Sequence, residues 1–326
     1  MNLHASTVPV RTTRRAVIAG LGALAIAPRA WAAGASPRIV ATTGMIADAA
    51  RSVSGLPVTG LMGPGIDPHS WRATRDAVAA LAQADLILWH GLNLEAQLAP
   101  LLADLSARKP VVALAEALPA DRLLADPAAP GQFDPHLWFD PDLWTGIAAP
   151  LTAALDLVLP GRAGDHAAGA EAFRADAARI GAYAHQVLAS VPEERRVLVT
   201  AHDAFGYFGR AYGWQVEGIQ GISTESEAGL ARIGDLVALI AERRIPAVFV
   251  ESSVPARAVR ALVEGAAARG HAVAIGGELF SDAMGVEGTY EGTWVGMIDH
   301  NATTIARALG GQAPARGHSG RLTAGA

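Results

Sequence analysis

The sequence has no cysteine among its 326 residues. This absence excludes a disulfide framework, a thiolate metal site and a lipid-modified cysteine behind an export signal. The formal net charge is -5 and no basic patch follows the first residues, so we expect no nucleic-acid partner. After residue 32, no stretch is both long enough and free enough of charge to form a membrane helix. The composition is 51% hydrophobic, which is ample for a buried core.

Residues 1–32 have the features of a cleaved export signal. Two arginines at 14–15 precede an apolar stretch over 16–27, and the sequence AWA at 30–32 gives an Ala-x-Ala cleavage pattern. The apolar stretch is shorter than the roughly 20 residues that are needed to cross a bilayer. The paired arginines fit twin-arginine export, and the general secretory route stays open. A cytoplasmic protein with a basic start is the alternative, but we expect a soluble periplasmic protein.

Beyond the signal, short apolar runs alternate with amphipathic segments of helical spacing. The runs are RIVATTG (38–44), LPVTGLM (56–62), ADLILWHG (84–91), KPVVAL (109–114), RRVLVTA (195–201), WQVEGIQG (214–221), IPAVFVES (245–252) and HAVAIGG (271–277). This alternation is typical of strand–helix–strand units and predicts an α/β fold with parallel sheets flanked by helices. Between the two sets of runs, residues 165–190 contain neither proline nor a turn cluster, which predicts one helix of roughly 39 Å.

The chain is therefore predicted to form two α/β lobes that are joined by one long helix. We place the N-terminal lobe at residues 36–160, the linking helix at 161–192 and the C-terminal lobe at 193–310. The remaining segment, residues 311–326, has the sequence GQAPARGHSGRLTAGA and is expected to be disordered.

Two phrases share the pattern Asp-Pro-His-x-Trp. They are GIDPHSW (65–71) and FDPHLWF (133–139), and their histidines, His69 and His136, stand 67 positions apart. His69 follows a predicted strand of the first lobe, and His202 and Asp282 follow predicted strands of the second. Because ligands of open parallel sheets bind beyond the carboxyl ends of the strands, we expect these residues to face one another across a cleft.

Three neutral imidazoles and a carboxylate suit a divalent transition metal. We therefore predict a metal site formed by His69, His136, His202 and Asp282. The carboxylates of Asp67 and Asp134 are candidates to orient the neighbouring histidine rings by accepting their second N–H, and Glu251 is a further supporting carboxylate.

Each of these features also has a plain structural interpretation. A duplicated turn alone would explain the repeated phrase, and a histidine after a strand is usually a loop or cap residue. The other histidines have no comparable context, and we expect them to be structural or exposed: His90, His185, His271, His300 and His318. Three tryptophans are expected to pack the lobes: Trp71, Trp138 and Trp144.

The chain resembles the zinc- and manganese-binding substrate-binding proteins of ABC transporters, the TroA-like group, from about residue 38 to residue 309. Several long phrases, in order along the chain, carry this resemblance: TTGMIADAA, MGPGIDPHSWRATRDAVAALAQADLILWHGLNLE, DPHLWFDP, TAHDAFGYFGRAYGW, IPAVFVESSVP, GGELFSDAMG and GTYEGTWVGMIDHN. The resemblance implies two lobes, a rigid backbone helix and a metal ion that is buried between the lobes as cargo. It implies the same four ligands, a monomer, and delivery to an inner-membrane ABC permease with its ATPase.

The resemblance leaves the metal open between Mn²⁺ and Zn²⁺. Some members of the group have a glutamate at the position of His202, which is associated with manganese preference. Members that are dedicated to zinc commonly carry a histidine-rich loop before the second ligand. The corresponding loop here, ALPADRLLADPAAPGQF, contains no histidine.

Two other function classes compete with metal transport. An exported zinc hydrolase would need an open metal position and a general base, and the chain has no His-Glu-x-x-His motif. A metal-dependent adhesin or a binder of an organic solute is the second alternative, but no residues mark a surface-binding patch. We therefore expect a transport protein and not an enzyme.

Overall fold

The computed structural model describes residues 36–226 and 229–323, so the signal predicted at residues 1–32 lies outside the described part. The described chain alternates between strands and helices. The strands are β1 (Ile39–Ala41), β2 (Val58–Gly60), β3 (Leu86–Trp89), β4 (Val111–Ala113), β5 (Val197–Thr200), β6 (Gln215–Gly218), β7 (Ala247–Glu251) and β8 (Ala274–Leu279). The helices are α1 (Gly44–Ser54), α2 (Arg75–Gln83), α3 (Ala99–Ser106), α4 (Pro141–Trp144), α5 (Ala148–Val158), α6 (Ala163–Ala189), α7 (Gly206–Tyr212), α8 (Leu230–Arg243), α9 (Arg257–Ala268) and α10 (Trp294–Ala308).

The first four strands form one parallel sheet in the order β2-β1-β3-β4. Ile39 of β1 pairs with Val58 on one side and with Leu86 on the other. All three residues of β1 are buried, as expected for a parallel strand that is covered on both faces. Because the strands are parallel, the chain leaves β1, β2 and β3 at the same edge of the sheet.

The second set of strands forms two parallel pairs, β5 with β6 and β7 with β8, and β5 packs beside β7. Every residue of β5 is buried, whereas the register of β7 against β8 shifts between Val248 and Val250. Seven of the eight apolar runs predicted to be strands contain one of these strands, and the eighth, residues 271–277, overlaps β8. The prediction of an α/β fold with parallel sheets is therefore confirmed.

The long helix between the two sets of strands is α6. Its 27 residues span about 40 Å at the usual rise, close to the length predicted from the sequence. It packs against α1, α5 and α10. A Cβ atom on Gly169 would lie 2.1 Å from the Val53 carbonyl oxygen, so only glycine lets α6 approach the end of α1 so closely. The helix is thus a packed spine of the molecule. No helix of the described residues is long and apolar enough to cross a membrane.

The hydrophobic core is continuous across the helix. One cluster of buried residues includes Ile39 and Leu86 from the first sheet together with Leu198 and Phe249 from the second set of strands. A smaller cluster lies on the outer side of each half. Because the core does not divide, the exact limits of the two lobes stay a prediction.

The segment after Leu309 differs from the expectation of disorder over its described residues, 311–323. Leu322 is fully buried, the His318 backbone N–H donates to Asp299 at 2.9 Å, and the Thr323 backbone N–H donates to Glu291 at 2.8 Å. The segment is rich in glycine and polar residues, but one buried leucine and two carboxylate acceptors are enough to hold it against α10 and the preceding loop.

Candidate metal centre

Three of the four predicted ligands follow a strand, and the fourth precedes a short turn. His69 follows β2, His202 comes two residues after β5, and Asp282 comes three residues after β8. His136 directly precedes a short 3-10 turn, Leu137–Phe139. All four side chains are buried, and one nitrogen or oxygen atom from each lies within 4.8 Å of the others. The structure therefore gathers the four residues into a single cluster between the two lobes.

The distances inside the cluster are those of atoms around a common centre. The His69 Nε2 lies 3.3 Å from the His136 Nε2. The Asp282 carboxylate lies 3.2 Å from the His136 Nε2, 3.1 Å from the His202 Nε2 and 3.9 Å from the His69 Nε2. Ligand atoms placed about 2.0–2.2 Å from one zinc-like ion would be separated by similar distances.

The cluster contains buried polar atoms without hydrogen bonds. Among the described residues, both carboxylate oxygens of Asp282 and the Nε2 of His202 have no hydrogen-bond partner. Their mutual distances are short, but their directions do not suit a hydrogen bond. Such atoms are costly to bury unless something pairs with them. A cation at the centre of the cluster would satisfy all of them, so the donor set fits a divalent metal.

Two of the three imidazoles are held from behind by a carboxylate. Asp134 Oδ1 accepts from the backbone N–H of His136 at 2.9 Å and from its Nδ1 at 2.7 Å. Glu251 accepts from the backbone N–H of His202 at 2.8 Å through Oε1, and from its Nδ1 at 2.5 Å through Oε2. A proton on each Nδ1 leaves each Nε2 free to face the centre.

Asp67 has a different set of contacts from the one predicted. It accepts from the backbone N–H of His69 at 2.9 Å, but its other oxygen is used by the hydroxyls of Ser70 and Thr224. The Thr224 hydroxyl lies in the C-terminal half and donates at 2.6 Å. Asp67 therefore fixes the main chain at His69 and connects it to the other half.

The electrostatics of the rings follow from these contacts. Burial lowers the pKa of His69 to about 4, although Asp282 opposes this shift. Burial also lowers the pKa of His136, but Asp134 and Asp282 outweigh it and raise the value to about 9. His69 is therefore neutral at neutral pH, whereas His136 holds a proton that a metal ion must displace.

His202 and Asp282 shift each other's pKa in opposite directions. Burial opposes charge on His202, yet Glu251 and Asp282 raise its pKa well above the usual 6.5. Burial likewise raises the pKa of Asp282, but His202 and His136 lower it well below the usual 3.8. The carboxylate is thus ionised at neutral pH and supplies a negative charge inside the cluster.

The histidines set aside from the sequence lie outside the cluster. His90 is fully buried against the rings of Trp138 and Trp144, and burial lowers its pKa to about 3. His271 and His300 each hydrogen-bond to a backbone carbonyl through Nε2. These contacts agree with the structural roles expected for them.

Two contacts near the cluster could not be expected from the sequence. The indole N–H of Trp138 donates to the carbonyl of Ser281, and the hydroxyl of Thr224 donates to Asp67. Both contacts join residues more than a hundred positions apart. The one signal in the sequence is the tryptophan two residues after His136 in the repeated phrase, and by itself it predicts only packing.

Comparison with known proteins now identifies the family. A family model described as zinc-uptake complex component A, periplasmic, matches residues 39–308. The chain belongs to this family. The resemblance to metal-binding components of ABC transporters is thereby confirmed, and so is the prediction of a transport protein.

Curated relatives and a solved structure agree with this assignment. The zinc-binding protein TroA of Treponema pallidum is 47% identical over 280 residues, which cover 85% of this chain and 90% of the relative. The manganese-binding lipoprotein MntA of Bacillus subtilis is 44% identical over 275 residues, covering 83% and 89%. The solved structure of the periplasmic zinc-binding protein TroA matches with a TM-score of 0.82 and 46% identity, covering 84% of this chain and 99% of that one. The two-lobed architecture is thus confirmed.

Proposed function

We propose that this chain is the substrate-binding component of an ABC transporter and captures Mn²⁺ or Zn²⁺ for uptake. One observation carries the proposal: three imidazoles and one carboxylate, all buried, direct atoms within 4.8 Å of one another between two lobes. Its family, whose members take part in metal uptake, supports the same conclusion. The proposed ligands are His69, His136, His202 and Asp282.

In the proposed cycle, the metal ion is cargo. Capture replaces the water around the ion with two ligands from each half, and the bound complex then docks on an inner-membrane permease that is driven by its ATPase. Because α6 packs along both halves and the core is continuous, wide hinge opening is disfavoured. We infer that release proceeds by small movements that loosen the ligands of one lobe.

The proposal places the mature protein in the periplasm as a soluble monomer after cleavage of the signal. Its relative MntA of Bacillus subtilis is named a lipoprotein. The present sequence contains no cysteine that could carry such a lipid. The proposed lobes are residues 36–160 and 193–310, with residues 161–192 as the connection.

The identity of the metal is part of the same proposal. Imidazole ligands suit zinc, and the Irving–Williams order places Zn²⁺ above Mn²⁺ at equal availability. The relatives do not separate the two ions, since a zinc-binding and a manganese-binding protein are similarly close in identity. Competitive titration with both ions, together with metal analysis of protein taken from its native compartment, decides between them.

A zinc hydrolase is not favoured. A catalytic zinc site has three protein ligands and keeps one position for water, whereas four protein groups surround this centre. The carboxylate of Glu251, which would be a candidate base, is already bonded to His202. Membership in an uptake family also favours transport over hydrolysis.

The test of the proposed function is metal retention by the mature protein and by His136→Ala. The wild type should bind one equivalent of metal, and the variant should lose it on dialysis. His185→Ala is the matched control, because His185 is exposed on α6 and lies against the ring of Tyr212, outside the cluster. If His136→Ala still holds one equivalent, the proposed site is wrong.

A further inference from the structure

We propose that Trp138 is a positioning residue that holds the two halves of the metal site in register. This inference rests on the proposed function, because it concerns how firmly the bound ion is kept. Trp138 does not touch the centre of the cluster through a ligand atom. It acts through the main chain next to Asp282 and through the ring of His136.

The first contact is with the N-terminal half of the site. Trp138 lies two residues after His136 and is fully buried. Its indole stands edge-on to the imidazole of His136, with the ring centroids 5.3 Å apart and an angle of 73° between the planes. The indole therefore forms a wall of the pocket in which the His136 ring sits.

The second contact is with the C-terminal half. The indole N–H of Trp138 donates to the carbonyl of Ser281 at 3.0 Å, and Ser281 immediately precedes Asp282. The Ser281 hydroxyl also lies 3.0 Å from that of Ser253, in the loop after β7. The main chain at Asp282 is thus fixed from two directions, and one of them comes from the opposite lobe.

Trp138 is itself supported from behind. Its carbonyl accepts from the indole N–H of Trp294 at 3.0 Å, and the backbone N–H of Trp294 donates to Asp48 at 2.8 Å. Asp48 lies in α1 and Trp294 begins α10. A series of hydrogen bonds, partly buried at Asp48 and buried at the two indole N–H groups, therefore runs from α1 through two tryptophans to the residue beside Asp282.

Trp144 provides a matched control in the same core. It is also fully buried, and its indole N–H has no hydrogen-bond partner among the described residues. It stacks on His90, with the ring centroids 6.2 Å apart. Replacing either tryptophan by phenylalanine removes the same atoms from a buried position, but only Trp138→Phe breaks a hydrogen bond between the two halves.

The experiment compares the wild type with Trp138→Phe and Trp144→Phe. The dissociation rate of Zn²⁺ is measured by competition with a chelator, and the thermal midpoint is measured for the metal-free proteins. Both variants should lose thermal stability, because both leave a cavity. Only Trp138→Phe should release the metal about tenfold faster, the size expected for one buried hydrogen bond, with the association rate unchanged.

Equal release rates for the two variants would overturn the inference while leaving the proposed function intact. A wild type that binds no metal would instead overturn the proposed function. If Trp138→Phe does not fold, hydrogen exchange of the wild-type indole N–H groups gives the answer. Since coupling between two sites is reciprocal, metal should slow exchange at Trp138 more than at Trp144. Exchange at Trp138 that does not respond to metal contradicts the inference.

Discussion

The two halves of the metal site use the same chemistry but obtain it from different distances along the chain. In the N-terminal half, the carboxylate that holds His136 belongs to Asp134, two residues earlier. In the C-terminal half, the carboxylate that holds His202 belongs to Glu251, which is 49 residues away on another strand. Both accept the histidine's backbone N–H and its Nδ1. The local arrangement is a rigid element, whereas the distant one depends on how β5 and β7 pack.

The three rings also differ electrostatically, and this difference does not follow the division into halves. His136 and His202 each have a carboxylate on Nδ1 and a raised pKa. The backbone N–H of His69 donates to Asp67, and burial lowers the pKa of the His69 ring to about 4. The site therefore combines one imidazole that is ready to bind with two that must first lose a proton.

Loss of the carboxylate in the C-terminal half should have the largest effect. Asp282→Asn removes the negative charge that faces all three imidazoles, and we expect affinity for Zn²⁺ to fall roughly a thousandfold, as for a buried charge that loses its partner. Equilibrium dialysis measures the change. Asp104→Asn, at an exposed position in α3, is the control. An affinity within tenfold of the wild type would show that Asp282 is not a ligand.

Affinity should also depend steeply on pH. Because the pKa of His136 is about 9 and that of His202 is well above 6.5, metal must displace protons from both at neutral pH. We expect affinity to rise about ten- to a hundredfold per pH unit between roughly pH 6.5 and 8.5, since each displaced proton contributes a factor of ten. Calorimetry in buffers of different ionisation enthalpy counts the protons released. A pH-independent affinity over this range contradicts the assignment.

The same shifts give the opposite trend for the metal-free protein. A raised histidine pKa in the folded state contributes stability that is fully present below about pH 6.5 and is lost as the pH rises through about 9. The lowered pKa of Asp282 contributes stability above about pH 3.8 that is lost as the pH falls below it. Raising the pH from 6.5 to 9 should therefore strengthen metal binding while it lowers the thermal midpoint of the metal-free protein.

Amide substitutions separate the two supporting carboxylates directly. In Asp134→Asn, one oxygen can still accept both N–H groups of His136, because both bonds go to Oδ1. In Glu251→Gln, one of the two bonds must be lost, because Glu251 uses a different oxygen for each. Changes behind a metal ligand typically cost about 10–100-fold in affinity, and we expect Asp134→Asn near the lower limit and Glu251→Gln near the upper. Equal losses in zinc titrations would show that the use of one carboxylate oxygen or two does not matter.

The smallest effect is expected from the C-terminal segment. Removing residues 319–326 exposes the pocket of the buried Leu322 and frees Glu291, whose backbone carbonyl accepts from Gly285 three residues after Asp282. Loss of one leucine should lower stability by about 2 kcal/mol, and metal affinity should fall less than tenfold. Thermal unfolding and zinc titration measure the two effects, with removal of residues 324–326 alone as the control. An unchanged thermal midpoint would show that the segment does not support the C-terminal half.

The main elements of the fold could be predicted because buried parallel strands are short, continuous apolar runs. β3, for example, lies within a run of this kind between Ala84 and Gly91. The long helix could be predicted because residues 165–190 contain neither proline nor a turn cluster. The sheet order β2-β1-β3-β4 and the packing of residues 311–323 could not, since both depend on contacts between distant segments.

In the site, too, local sequence patterns could be predicted and contacts between distant segments could not. Asp-Pro-His marks His69 and His136 as local motifs, and the strand ends before His202 and Asp282 place them at the same edge. The contacts of Thr224 with Asp67 and of Trp138 with Ser281 join distant positions, and no spacing in the sequence indicates them. The ligands and the carboxylates behind them follow local motifs or strand ends, whereas Thr224 and Trp138 act through contacts between distant segments.

The central claim is that one metal ion is bound by two ligands from each half. A crystal of the zinc-loaded protein, with anomalous differences collected at the metal edge, tests it most directly. The account predicts a single strong peak about 2.0–2.2 Å from the Nε2 atoms of the three histidines and from an oxygen of Asp282. A peak elsewhere, or one that is bound by residues of only one half, would contradict it.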